Sequence, residues 1–176
     1  MTILRISAPQ TSLIVPIGPA GCGKSTLLGQ FADSISDPGW RFGNDDVRRA
    51  LDLFIYESKT SAAVASAALA MVGARLVAKK GAALDSTHNG QHARRSAIEL
   101  ARRNGVAAVG LLSRVDLAVV LSRNENRPKE LFVPESIILD MFEKISDLSV
   151  ESLLGEGFDR VYEFNELVTE LVIDFV

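Results

Sequence analysis

With 176 residues, 47% of them hydrophobic, the chain has the size of one domain that fills a core without covalent staples. Its single cysteine, Cys22, excludes an intrachain disulfide and points to a reducing, cytoplasmic setting. A net charge of −3 argues against a broad electrostatic grip on nucleic acid, although arginines gather at positions 48/49, 94/95, 102/103 and 123/127.

Residues 1–11 carry one arginine, Arg5, and no apolar run of the kind a secretory leader needs. Ser12–Ile17 is a short β-rich run ending at Gly18, and the pattern predicts a helix over Lys24–Ser34. Trp40–Asn44 reads as a second strand leading into a helix over Asp46–Phe54. Thr60–Lys80 is predicted as a long helix closed by Gly81. Its alanine-rich stretch carries Arg75 and is bracketed by Lys59, Lys79 and Lys80, so it reads as a core helix and no membrane partner is expected.

Ala82–Asp85 is the third strand, followed by a helix from Gln91 to Asn104. Val106–Ser113 is a strand of the fully buried kind. Two amphipathic helices, Leu117–Asn126 and Pro134–Ile145, flank a loop at Arg127–Phe132 that is the candidate mobile element. Arg160–Phe164 is the last strand, with a helix expected after it. Strands alternating with helices imply βαβ units and a parallel sheet covered on both faces. The expectation is a single α/β domain spanning 1–176, with a five-stranded, mainly parallel sheet and a helical lid at about 123–145.

Four segments carry chemistry. Gly18-Pro-Ala-Gly21-Cys22-Gly23-Lys24-Ser25 matches G-x-x-x-x-G-K-[ST] in full, between a strand and a helix. Its glycines let backbone N–H groups turn inward around phosphates, and the positive end of the following helix faces the same anions. Lys24 then reaches the β- and γ-phosphates of ATP, and the Ser25 hydroxyl is a Mg²⁺ ligand. Cys22 fills a variable position of the cradle, and Thr26 completes its first helical turn.

The second segment is Asn44-Asp45-Asp46-Val47-Arg48-Arg49, at the carboxyl end of the second strand. Asp45 can take the proton of an attacking hydroxyl, and Arg48 can hold an anionic acceptor. An Asp ahead of a helix also serves as its N-cap, a role open to Asp46. Leu84-Asp85-Ser86-Thr87 ends the third strand with an acid that can hold a Mg²⁺-bound water or cap the next helix. Arg123 and Arg127, four apart on a helix, can clamp phosphates or belong to a solvated charged face. His88 and His92 have i,i+4 spacing but no third ligand nearby, and surface or loop positions are expected for them.

In this order and spacing, GPAGCGKST, NDDVRR, DSTHNGQHAR, RNENR and the closing GFDRVYEFN resemble the polynucleotide 5′-hydroxyl kinases of phage and bacterial repair, within the zeta-toxin-like group of P-loop kinases. The resemblance covers about Ser12–Asn165. It implies an ATP- and Mg²⁺-dependent phosphotransferase, with Asp45 as general base and Arg48 on the phosphate next to a 5′-OH of DNA or RNA. Asp85 and Thr87 match the third-strand segment beside the acceptor, and Arg123 and Arg127 match the lid arginines. One departure is that the asparagine following D-x-T is His88 here, with Asn89 one place later. Two rival acceptor or activity classes remain: a small molecule (nucleoside, modified base, sugar or antibiotic), and a nucleotide-binding regulator that turns over ATP without an acceptor.

Overall fold

The computed structural model describes residues 2–53 and 58–176. In chain order the elements are β1 (Thr2–Ala8), β2 (Leu13–Ile17), α1 (Lys24–Ser34), β3 (Arg41–Gly43), α2 (Asn44–Ala50), α3 (Ser58–Val77) and β4 (Ala82–Asp85). There follow α4 (Gln91–Arg103), β5 (Ala108–Ser113), α5 (Leu117–Glu125), α6 (Glu135–Ser146), α7 (Val150–Glu156), β6 (Arg160–Phe164) and β7 (Val168–Phe175). The helix expected over Asp46–Phe54 stops at Ala50, and its expected last residue, Phe54, lies outside the described residues.

A five-stranded sheet runs in the order β3-β4-β2-β5-β6 with every neighbour parallel, as the βαβ alternation requires. All five residues of β2 are buried, because helices cover both of its faces. Ile14 points into one core with Val109, Leu111 and the α1 residues Leu28 and Phe31. Leu13, Val15 and Ile17 point into the other with Val64, Val72 and Leu76 of α3. By length and composition Thr60–Val77 is long and apolar enough to cross a membrane. One face of it packs on the sheet through the i,i+4 row Val64, Ala68, Val72 and Leu76, while Met71 and Val77 are exposed.

Pro16 lies inside this central strand without breaking it. β2 pairs with β4 only through Leu13 and Ile14, so at Pro16 the ladder on that side has already ended and no N–H is needed there. Trp40 belongs to a short 3-10 turn rather than to the strand; its ring sits 4.7 Å from that of Phe31, and β3 begins at Arg41.

The structure corrects the chain ends. The helix expected after Phe164 is β7, which pairs in parallel with β1 from Thr2↔Val168 to Ala8↔Phe175. Val168–Phe175 is rich in β-branched residues and buries Leu171 and Ile173, two apart, which is a strand period. Ser7 joins this ribbon to the main sheet: its carbonyl accepts from Arg160 Nη1 at 2.7 Å and from the Tyr162 hydroxyl at 3.0 Å. α7, absent from the sequence reading, starts at a capping serine, Ser149, and stops at Gly157, whose φ is 112°.

Candidate active site

β2 stands between β4 and β5, so chain connections leave its carboxyl end in opposite directions and open a crevice there. Gly18–Ser25 occupies that point. Gly23 has φ 99°, a left-handed conformation that a side chain resists. A Cβ on Gly18 would lie 2.6 Å from the Ser113 Cβ, so the loop can leave β2 only through a glycine. The first intrahelical bond of the loop helix is Leu27 N–H to Gly23 O, 3.1 Å, which leaves the N–H groups of Lys24, Ser25 and Thr26 for an anion.

Lys24 is buried, and its ammonium is stowed inside its own loop. It donates to Gly18 O at 2.9 Å and Pro19 O at 2.6 Å, and stands 3.3 Å from Cys22 Sγ. Cys22 therefore closes the back of the cradle as a buried thiol.

The loop opens into a cleft of about 840 Å³ whose lining includes Gly21–Thr26, Asp45, Arg48, Asp85, Thr87, Arg123 and Arg127. Nearly all the residues singled out in the sequence are thus brought together; Gly18 lies just beneath the lining, where β2 ends. On one flank Asp45, half exposed, accepts from Arg48 Nη1 at 3.1 Å across one turn of α2. Asp46 is not the N-cap, which is Gly43; from the third helical position it turns back and accepts from the Gly43 N–H at 2.9 Å. Asp85, buried at the end of β4, is ion-paired with Arg41. Burial works against the Arg41 charge, but Asp85 and Asp46 outweigh it and raise the guanidinium above its ordinary pKa.

Arg123 reaches over the loop, with Nη1 3.4 Å from Cys22 O. Arg127 does not share its helix: α5 ends at Glu125, and a turn from Asn124 O to Arg127 N–H, 3.1 Å, carries the chain on. Both arginines still line the cleft. Between them Asn124 is buried and closes the segment onto Val133, donating to its carbonyl at 2.8 Å and accepting from its N–H at 3.1 Å. Read from sequence, Asn124 has no role of its own within RNENR.

The flank away from Asp45 is apolar, with Leu131, Val133, Met141, Phe164 and Val168, and includes Glu166. The Glu166 Oε2 is buried without a hydrogen-bond partner among the described residues. An orphan acceptor beside an apolar slot and a cradle that only glycines can line both fit a nucleotide: phosphates on the loop, a flat base on this flank. Nothing in the sequence singled out Glu166.

His88 lies in the loop between β4 and α4, one of its two expected places, but not at the surface. It is buried, has φ 47°, and its Nδ1 lies 2.8 Å from Pro16 O. A carbonyl only accepts, so Nδ1 carries the proton of the neutral ring. Burial, with the Lys24 ammonium nearby, pushes the ring down to about 4, against the pull of the Pro16 carbonyl. Asn89 and Arg94 are buried beside it. Arg94 donates two hydrogen bonds to the Glu156 carboxylate (2.7 and 2.6 Å) and one each to the carbonyls of His88 (3.1 Å) and Asn89 (2.6 Å). Among the described residues no group of three or more His, Cys, Asp or Glu side chains is placed to hold a metal ion. Mg²⁺ at this site would rest on Ser25 and on phosphate oxygens, the sparse protein shell that the ion tolerates.

A parallel sheet in this order, with a complete phosphate loop at its switch point and arginines over it, is the P-loop kinase fold. The chain belongs to the AAA domain family, whose model matches residues 13–148. No curated protein gives a significant match. Among solved structures, the chain is similar to a gluconokinase from Sinorhizobium meliloti 1021, with a TM-score of 0.57 and 18% identity over 89% of this chain and 83% of that one. It is similar to the shikimate kinase of Acinetobacter baumannii, with a TM-score of 0.55 and 17% identity over 89% and 85%. It is also similar to a protein of the PezAT chromosomal toxin–antitoxin system of Streptococcus pneumoniae, with a TM-score of 0.62 and 17% identity over 94% and 71%. At these identities the likeness is one of fold.

Proposed function

We propose that this protein is an ATP-dependent kinase whose acceptor is the hydroxyl of a small anionic molecule. The observation that carries the reading is the single cleft in which the phosphate loop faces the Asp45–Arg48 pair. Asp45 takes the proton as the acceptor oxygen attacks the γ-phosphorus, and the bond to the β–γ bridging oxygen breaks to release ADP. Lys24, Arg123 and Arg127 meet the charge that gathers on the transferring and leaving oxygens. Arg48 holds the acceptor's own negative group. Mg²⁺, bound through Ser25 with Asp85 behind its waters, would neutralise phosphate charge.

Two similar folds are named for gluconate and shikimate, both hydroxylated carboxylates, which favours a small acceptor. The net charge of −3 favours it too. The 5′-OH of DNA or RNA is kept as a second reading, because Arg48 and the exposed Arg49 stand side by side at the cleft mouth.

The test is label transfer from γ-labelled ATP to a panel of hydroxy acids, sugars, nucleosides, 3′-nucleotides and 5′-OH oligonucleotides. Transfer to a small anion is expected, and Lys24→Ala should abolish it. Transfer to oligonucleotides alone would establish the polynucleotide reading. Hydrolysis of ATP with no acceptor labelled would mean a regulator rather than a kinase.

A further inference from the structure

The turn from β6 to β7 sends an acid inward and a leucine outward. Asn165 fixes this turn twice: its side-chain oxygen accepts the Leu167 N–H at 3.1 Å, and its carbonyl accepts the Val168 N–H at 3.2 Å. Of the two residues at the tip, Leu167 is 63% exposed, whereas Glu166 lines the cleft. A leucine in water and a carboxylate under cover invert the usual partition. The covered oxygen, Oε2, accepts from no donor among the described residues, and a buried acceptor left unsatisfied is costly.

Its surroundings say which donor is missing. Phe164 and Val168, on either side of it in sequence, share one apolar cluster with Val133 and Met141, and all four line the cleft. That wall suits a flat ring with few polar atoms. The cleft also gathers Lys24, Arg48, Arg123 and Arg127, which draw anions. An acid among them opposes an anionic ligand unless that ligand brings it a proton to share. We infer that Glu166 is the specificity-determining residue for the base of the phosphate donor. Its carboxylate accepts from the exocyclic 6-amino group of adenine and rejects a purine with a carbonyl there, where two acceptors would face each other. The inference rests on the nucleotide reading of the cleft. It adds the choice of base, which the phosphate loop cannot make because every nucleoside triphosphate carries the same phosphates.

Calorimetric titration of the wild type, Glu166→Ala and Glu166→Gln tests this, each with Mg²⁺ and ATP, purine riboside triphosphate, GTP or 2′-deoxy-ATP. The readout is a ratio of affinities within one protein, which a general loosening of the turn does not move. Purine riboside triphosphate has hydrogen in place of the amino group. The wild type should bind it about 10–100-fold more weakly than ATP, and GTP at least as weakly. Glu166→Ala should bring ATP and purine riboside triphosphate to nearly equal affinity. Glu166→Gln keeps the shape but offers a donor as well as an acceptor, so it should narrow the gap between ATP and GTP. In all three proteins 2′-deoxy-ATP should match ATP.

Equal wild-type affinity for ATP and purine riboside triphosphate, or a preference for ATP that survives in Glu166→Ala, would overturn the inference. So would tighter wild-type binding of GTP, whose N1–H and 2-amino group can pair side by side with a carboxylate. A deficit for 2′-deoxy-ATP that disappears in Glu166→Ala would show the acid to hold the ribose, and would overturn it too. A wild type that binds none of the triphosphates would instead overturn the nucleotide reading beneath it.

Discussion

Asp45 and Arg48 share a hydrogen bond yet meet solvent differently: the carboxylate is 53% exposed and the guanidinium 18%. In the proposed mechanism the two residues have separable tasks. A half-exposed carboxylate at the cleft is placed to meet an incoming hydroxyl, whereas the more buried guanidinium fixes one side of the pocket. Asp45→Asn keeps the hydrogen bond to Arg48 but cannot take a proton. It should lower kcat by about 10²–10⁴-fold with acceptor KM little changed in steady-state kinetics. Arg48→Ala should raise KM for an anionic acceptor, and its penalty should vanish for an analogue with the anionic group removed. Were Arg48→Ala to lower kcat alone, its task would be to aim Asp45 rather than to bind substrate. Asp46 belongs to a different category: its bond to the Gly43 N–H is helix capping, and Asp46→Ala should cost about 1 kcal/mol in stability.

At the level of elements, the connection from β4 to α4 carries the greatest concentration of buried polar groups, with Asp85, His88, Asn89 and Arg94 within ten positions. His88 is neutral in the fold, and its pKa of about 4 lies below the 6.5 of an open chain. The unfolded chain therefore binds the extra proton first as the medium acidifies. Stability should be unaffected above pH 6.5 and fall between about pH 6.5 and 4, by up to about 3 kcal/mol. Urea midpoints across that range would measure it. His88→Asn should remove that slope, since asparagine tolerates the same positive φ and its amide can still reach a carbonyl. The backbone after Thr87 asks for a residue at ease in the left-handed region, which histidine accepts. Sequence patterns revealed the elements around the site for concrete reasons. β2 and β5 are uninterrupted apolar runs, and α1 begins inside a motif whose residues are bound to one conformation. β7 was read as a helix because LVTELVID satisfies both periods over so short a span, and only its pairing with β1 decides between them. The burial of His88 and Asn124 was not legible in the sequence because it depends on carbonyls 72 and 9 residues away, Pro16 O and Val133 O.

Taken whole, the molecule sets a basic cleft in an acidic protein. Lys24, Arg48, Arg49, Arg123 and Arg127 line it against Asp45, Asp85 and Glu166, while the net charge is −3. Anions are thus drawn to the cleft over a surface that otherwise repels them. Raising ionic strength from 0.01 to 0.15 M should increase KM for ATP several-fold and leave kcat nearly unchanged, because screening acts on the approach and not on contacts already made. The β1–β7 ribbon sets a different constraint. α1, which carries Lys24, Ser25 and Thr26, packs against β7, and Phe31 meets Phe175 with ring centres 6.2 Å apart. As the ribosome releases the chain from its first residues onward, the phosphate-binding helix emerges well before the strand that backs it. Until Val168–Phe175 follows, that helix is covered by the main sheet and Trp40 but lacks the part of its packing that β7 supplies. A nascent chain arrested at Asn165 should therefore capture nucleotide poorly and recruit chaperones, and ATP affinity should rise once Val168–Phe175 has been released.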